Sequence, residues 1–270
     1  MLSFSQRLAA LALASVAQPA FAVGDLLVAP TRVVLEGTRG TELILNNVGV
    51  LPATYRISLE LKHMNAKGEL DEVKPEEMSA KEKLTLSMIS YAPRRVVLAP
   101  NQPQAIRIGI RAPADLPDGE YRAHMLFRAI PDAVPATAAS QVRQGLSIAL
   151  TPIYGVTIPL IIRKGGLKAS AAISDAKMVR SEQGPAFSFT LARSGDRSTY
   201  GSIRVTKAGV PNPLFEARGI AVYAEIGSRT VNLPISPKVA AQLSGPVKIE
   251  YLEDGDAGGG TIAVAQAVIR

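Results

Sequence analysis

The chain holds 270 residues, with 30 Lys and Arg against 23 Asp and Glu, a formal net charge of +7, and 47% hydrophobic residues. That length can bury one large core or two of ordinary size. Acids and bases intermix and no basic run exceeds a pair, as at Arg94-Arg95 and Arg163-Lys164, which argues against nucleic-acid binding. The absence of cysteine removes disulfides, thiolate nucleophiles and Cys-based metal sites.

The first 22 residues, MLSFSQRLAALALASVAQPAFA, carry one charge at Arg7, then an apolar run from Leu8 to Val16, then the small-residue pattern Ala20 to Ala22. That order is the pattern of a cleaved secretory signal peptide, and the apolar run is too short for a bilayer anchor. Cleavage would leave 248 residues from Val23, with 29 basic and 23 acidic, a net +6. No later stretch approaches the ~20 consecutive apolar residues of a membrane span, so the mature chain is expected not to be membrane-embedded.

From Val23 the pattern is nearly all β: short, often alternating apolar runs separated by Gly, Pro, Asn and Asp. The predicted strands of the first half are Leu26–Leu35, Thr41–Asn47, Ala53–Leu61, Leu86–Ser90, Arg94–Leu98, Gln104–Arg111, Tyr121–Ala129 and Leu146–Ile162. One helical piece is predicted over Lys74–Leu86, a charged surface excursion rich in helix formers. After the break at Ile161–Gly166 the pattern restarts with Phe187–Ala192, Gly201–Lys207, Gly219–Glu225, Thr230–Leu233, Val247–Leu252 and Thr261–Ile269. Strands at this spacing predict two all-β sandwich domains, 23–163 and 164–270, joined by a very short hinge.

Little in the chain points to an enzyme. The two histidines, His63 and His124, belong to no metal-spacing motif, and His124 sits on a strand as a packed or edge residue. There is no Gly-x-Ser-x-Gly elbow, phosphate loop or dinucleotide fingerprint, and Glu76-Glu77 falls in the charged excursion. No catalytic residue, cofactor or metal is therefore assigned.

Three features stand out instead. Arg32 interrupts the apolar run VAPTRVVLEGT, where alternation puts it on one face with Val28, Pro30 and Val34. A buried, unpaired guanidinium is costly, so Arg32 either protects a sheet edge from aggregation or meets an anion. The second feature is GLSIALTPIYGVTIPLIIR, Gly145 to Arg163, whose even positions from Leu146 to Ile162 are all apolar. As one strand it would be far longer than the usual ~5–6 residues; the alternative is two strands with a bend at Tyr154-Gly155. Pro152 and Pro159 cannot donate ladder hydrogen bonds and favour an edge or a break. The third is the loop Pro131 to Gly145, rich in Ala, Pro, Ser and Thr, which reads either as a plain connection or as the approach to an edge awaiting a strand from another protein.

Four segments, in order, resemble the periplasmic chaperones of the chaperone–usher pathway, which escort pilus subunits. PTRVVLEG, Pro30 to Gly37, is similar to their first-strand motif. LAPNQPQAIRI, Leu98 to Ile108, is similar to their L-x-P-G-x-x-x-x-(V/I)-R segment, with Asn101 in place of the common Gly. LPDGEYRAHMLFRAIP, Leu116 to Pro131, is similar to the segment before their long loop, and IPLIIR, Ile158 to Arg163, to the end of their donor strand.

The resemblance implies a boomerang of two immunoglobulin-like domains that lends an edge strand to an incomplete pilus subunit and hands it to an outer-membrane usher, in the periplasm. It implies that Arg32 anchors the subunit's C-terminal carboxylate. Leu146, Ile148 and Leu150, with Pro152 next, would fill the subunit's groove. Pro159 stands where the best-known members carry a second cleft cation, a lysine, leaving Arg94, Arg95, Arg107 and Arg111 as candidates to replace it. That departure, with a longer donor strand, is closer to the archaic or alternative branch. Self-association through the donor edge in the free protein is a further expectation. The rival reading is a secreted two-domain sandwich that binds a ligand or surface, with Arg32 structural; a periplasmic hydrolase is more remote.

Overall fold

The computed structural model describes residues 26–37, 39–131, 153–182 and 184–270. The expected signal peptide, the loop from Asp132 and the groove-filling candidates Leu146, Ile148, Leu150 and Pro152 lie outside the described residues.

The first half forms β1 (Leu26–Ala29), β2 (Val33–Glu36), β3 (Thr41–Asn47), β4 (Ala53–Glu60), β5 (Lys62–Met64), β6 (Leu70–Glu72), helix α1 (Ala80–Met88), β7 (Ile89–Ala92), β8 (Arg95–Leu98), β9 (Pro103–Ile110), β10 (Gly119–Ile130) and β11 (Gly155–Lys164). Two sheets, ordered β1-β3-β9-β7 and β2-β11-β10-β4-β8, close on a common core. Leu43, Leu45 and Ile106 face Tyr55, Phe127 and Leu160 across it, all essentially inaccessible to solvent. Each strand alternates: on β10, Tyr121, Ala123, Met125 and Phe127 point into this core.

The second half forms β12 (Ala169–Ser181), β13 (Gly184–Gly195), β14 (Thr199–Thr206), β15 (Phe215–Val222), β16 (Ser228–Pro234), helix α2 (Pro237–Leu243), β17 (Gly245–Glu253) and β18 (Gly260–Ile269). Its sheets, β12-β13-β16 and β15-β14-β17-β18, enclose Phe187, Phe189, Ile203, Ile249 and Tyr251. The fold is thus all-β, two immunoglobulin-like sandwiches in tandem, as expected.

Several local expectations are corrected. Leu26–Leu35 is not one strand. The chain leaves one sheet at Ala29 and enters the other at Val33, because Pro30 has no N–H to continue the ladder. Arg32 therefore sits in the bend between two short strands. Leu86–Met88 belongs to α1, whose start is fixed by a capping box: Ser79 Oγ accepts from Glu82 N at 3.3 Å and Glu82 Oε2 accepts from Ser79 N at 2.8 Å. The β5–β6 hairpin, β12 and α2 were not predicted. Asn101 adopts φ +58, a left-handed turn conformation that Asn tolerates and Gly adopts freely, which accounts for Asn where the resembling motif carries Gly.

Candidate functional site at the junction of the two sandwiches

The ladder register sets the site. β2 runs parallel to β11, with Val33 opposite Leu160 and Glu36 opposite Arg163; β10 runs antiparallel to β11, with Glu120 opposite Arg163, Arg122 opposite Ile161 and His124 opposite Pro159. Val34, Ile161, Arg163, Glu120, Arg122 and His124 therefore share one face, opposite the core face. The second sandwich covers that face: Ile161 packs with Met64, Ala221 and Tyr223, with Val34 and Tyr200 beside them. Covered on both faces, β11 reads Leu160-Ile161-Ile162 without alternation, and all three are buried.

Polar networks flank this apolar patch. Arg163 donates from Nε to Glu120 Oε2 at 3.1 Å, from Nη1 to the Asp256 carbonyl at 3.1 Å and from Nη2 to the Ser198 carbonyl at 3.4 Å. Glu120 Oε2 also accepts from the Ser198 amide and hydroxyl at 3.1 and 2.9 Å. On the other flank Arg122 grips Glu225 with two bonds of 2.8 and 2.5 Å, and its guanidinium carbon lies 3.7 Å from the Tyr223 ring centre. Burial would push the Glu225 carboxyl up, but Arg122 and the Met64 amide outweigh it and hold the carboxyl below its usual range.

His124 lies beyond Arg122 on β10, with Tyr223 edge-on at 6.3 Å. Neither ring nitrogen has a hydrogen-bond partner. Burial, then the positive charges of Arg122 and Lys62, push its pKa down to about 3 against a smaller opposing pull from Glu225. It is a neutral, packed histidine.

Arg32 enters this junction from the β1–β2 bend. Its side chain is 5% exposed and forms an ion pair from Nη1 to the Asp256 carboxylate of the second sandwich. Its guanidinium carbon lies 4.5 Å from the Tyr200 ring centre, while Nε and Nη2 are buried without partners. The anion that Arg32 meets here is a side chain of the same protein, Asp256.

The four candidates for a second cation lie elsewhere. Arg107 is exposed and pairs with Glu42 at 3.0 Å; Arg94 lies over Tyr91; Arg95 stands opposite Arg56 on edge strand β8; Arg111 is exposed after β9. None shares a partner with Arg32, whereas Arg163 does, through Asp256. Sequence reasoning missed Arg163, Glu120 and Arg122. The period-two spacing of Glu120 and Arg122 on β10 was the available signal, but alternating charge on a strand reads as a solvent face.

The edge of β11 is the second element of the site. β2 covers only Leu160 to Arg163, so among the described residues Gly155 to Pro159 have β10 on one side and no neighbouring strand on the other. Ile153 and Tyr154, which lead into this edge, are 49% and 50% exposed. Because Arg32 immediately precedes Val33 in the parallel ladder, it stands beside Pro159, where the open edge ends.

No protein-family model matches the chain, and no curated protein matches it in sequence. Among solved structures it is similar to the chaperone–tip adhesion subunit complex of archaic chaperone-usher Csu pili from Acinetobacter baumannii, at 15% identity and a TM-score of 0.47 over 91% of this chain and 99% of that one. It is similar to the E. coli chaperone DraB at 16% identity and 0.47, over 92% and 97%, and to the Pseudomonas aeruginosa CupB2 chaperone at 15% and 0.45, over 90% and 100%. At such distances the functional reading rests on the chain's own residues.

Proposed function

We propose that the chain is a periplasmic chaperone that stabilises pilus subunits by lending them a β-strand and passes them to an outer-membrane usher. The observation that carries this reading is the half-open edge of β11, which ends where the chain of Arg32 leads into β2. An extended segment of another protein that added to this edge would satisfy its free N–H and C=O groups. If its C-terminal carboxylate reaches Arg32, it must run the same way as β11, in parallel. A charge-assisted hydrogen bond there contributes about 1.5–3 kcal/mol and fixes register, since a slip of one residue turns every side chain to the wrong face.

On this reading residues 1–22 are a leader cleaved on export, 23–163 a chaperone domain with its donor strand, and 164–270 a second domain. Leu146, Ile148 and Leu150, with Pro152, extend the donor strand upstream of β11. Each large aliphatic side chain fully buried in a subunit's groove contributes about 1.5–3 kcal/mol. In the free protein the same edge is where two copies would pair.

The test is periplasmic co-expression with candidate pilus subunits, followed by pull-down. Wild type retains a subunit; Arg32→Ala loses it or leaves it degraded; Ile148→Asp loses it while the chaperone stays folded, because a carboxylate does not enter an apolar groove. If no subunit is ever retained, the secreted ligand-binding sandwich with a structural Arg32 is the better account. Survival of the complex in Arg32→Ala removes Arg32 as the anchor.

A further inference from the structure

Arg32 already holds a carboxylate, that of Asp256 in the second sandwich. We propose that Asp256 is a resident stand-in for the incoming C-terminal carboxylate, and that a subunit binds by exchanging with it; this rests on the chaperone reading above.

Three observations carry the exchange. First, Arg32 is 5% exposed, and a buried guanidinium without a counter-ion costs several kcal/mol, so an anion is needed in the free protein as well as in the complex. Second, the Asp256 side chain is 47% exposed and can turn into water while its backbone stays in place. The turn around it is held independently: Asp254 O accepts from the amides of Ala257 and Gly259 at 2.9 and 3.0 Å, and Asp256 O accepts from Arg163 Nη1 at 3.1 Å. Exchange therefore leaves that turn in place, while the guanidinium shifts out of its burial so that a carboxylate reaches Nε and Nη2. Third, Asp256 satisfies Nη1 alone, and Nε and Nη2 remain unpartnered. A carboxylate free to approach with both oxygens can pair more of the guanidinium fork than one tethered to the second sandwich does.

The consequence is opposite signs for the two partners: Arg32→Ala weakens carboxylate binding, and Asp256→Asn strengthens it by removing the competitor. The expected gain is about two- to five-fold, the size of one partly exposed ion pair. The probes are a synthetic peptide of alternating Val and Thr with a free C-terminal carboxylate, and the same peptide amidated, titrated into the full-length mature protein by calorimetry. Asp256→Ser is run beside Asp256→Asn to separate loss of the charge from any shift of the turn. A thermodynamic cycle of Arg32→Ala and Asp256→Asn on unfolding, without peptide, reads the resident contact by itself.

The proposal expects coupling in that cycle, tighter binding of the acid peptide by both Asp256 variants, and no gain for the amide. Absence of coupling overturns the resident contact. Coupling with unchanged acid-peptide affinity overturns the exchange but leaves the chaperone reading in place. Equal affinity for acid and amide, or no binding of either, overturns the anchor and the exchange with it.

Discussion

At the scale of single residues, His124 makes a testable contribution to stability. Its folded pKa lies near 3, whereas an unfolded histidine titrates near 6.5. Below pH ~6.5 the unfolded chain takes up a proton that the native chain refuses, so stability falls with pH from there to about 3 and levels off beyond it. The slope is at most about 1.4 kcal/mol per pH unit. Denaturant unfolding of His124→Phe against wild type between pH 7.5 and 3.5 should show the variant losing less stability on acidification. Parallel curves would mean that the ring is protonated in place. Glu120 is the more fragile residue. It is 1% exposed against Arg163, and Glu120→Ala leaves that arginine buried without its carboxylate, at a cost of about 3–5 kcal/mol in unfolding free energy.

At the scale of elements, β3, α1, β12 and β10 show how far the sequence could be read. β3 has the bounds that alternation predicted, Thr41–Asn47, because one of its faces meets the core and the other meets solvent. Leu84, Leu86 and Met88 alternate as a strand would, but they lie on α1, where a four-residue hydrogen-bond period and the Ser79 cap decide the matter. Ser79→Ala should lower stability by about 1 kcal/mol and shorten the helix; circular dichroism with thermal melting checks it. β12 was unread because Ala169–Ser181 is built from small residues with little hydrophobic contrast, and its pairing with β13 comes from the sheet rather than from its own pattern. The role of the polar face of β10 went unread for a different reason. Alternation tells which residues point away from a core, and it does not tell whether a second domain covers them.

At the scale of the molecule, β11 does two jobs. Its lower part, from Leu160 onward, is paired by β2 and sealed to the second sandwich by Ile161, Tyr223 and the arginine networks. Its upper part, Gly155 to Pro159, is left open on the same side, with Arg32 at the boundary. The ion pair to Asp256 holds that arginine in the junction while the edge beside it has no neighbouring strand among the described residues. The apolar patch and the buried ion pairs couple the two sandwiches, so calorimetry should record a single unfolding transition for wild type and two for Glu120→Ala.

The central claim is that a partner strand pairs with the open half of β11. Hydrogen exchange of the mature protein, alone and in complex with a retained pilus subunit, reads it most directly. The account predicts that amides within Gly155–Ile158, half of which already bond to β10, gain protection in the complex while Leu160–Arg163 change little. Unchanged exchange across Gly155–Ile158, with protection arising elsewhere on the surface, would contradict it.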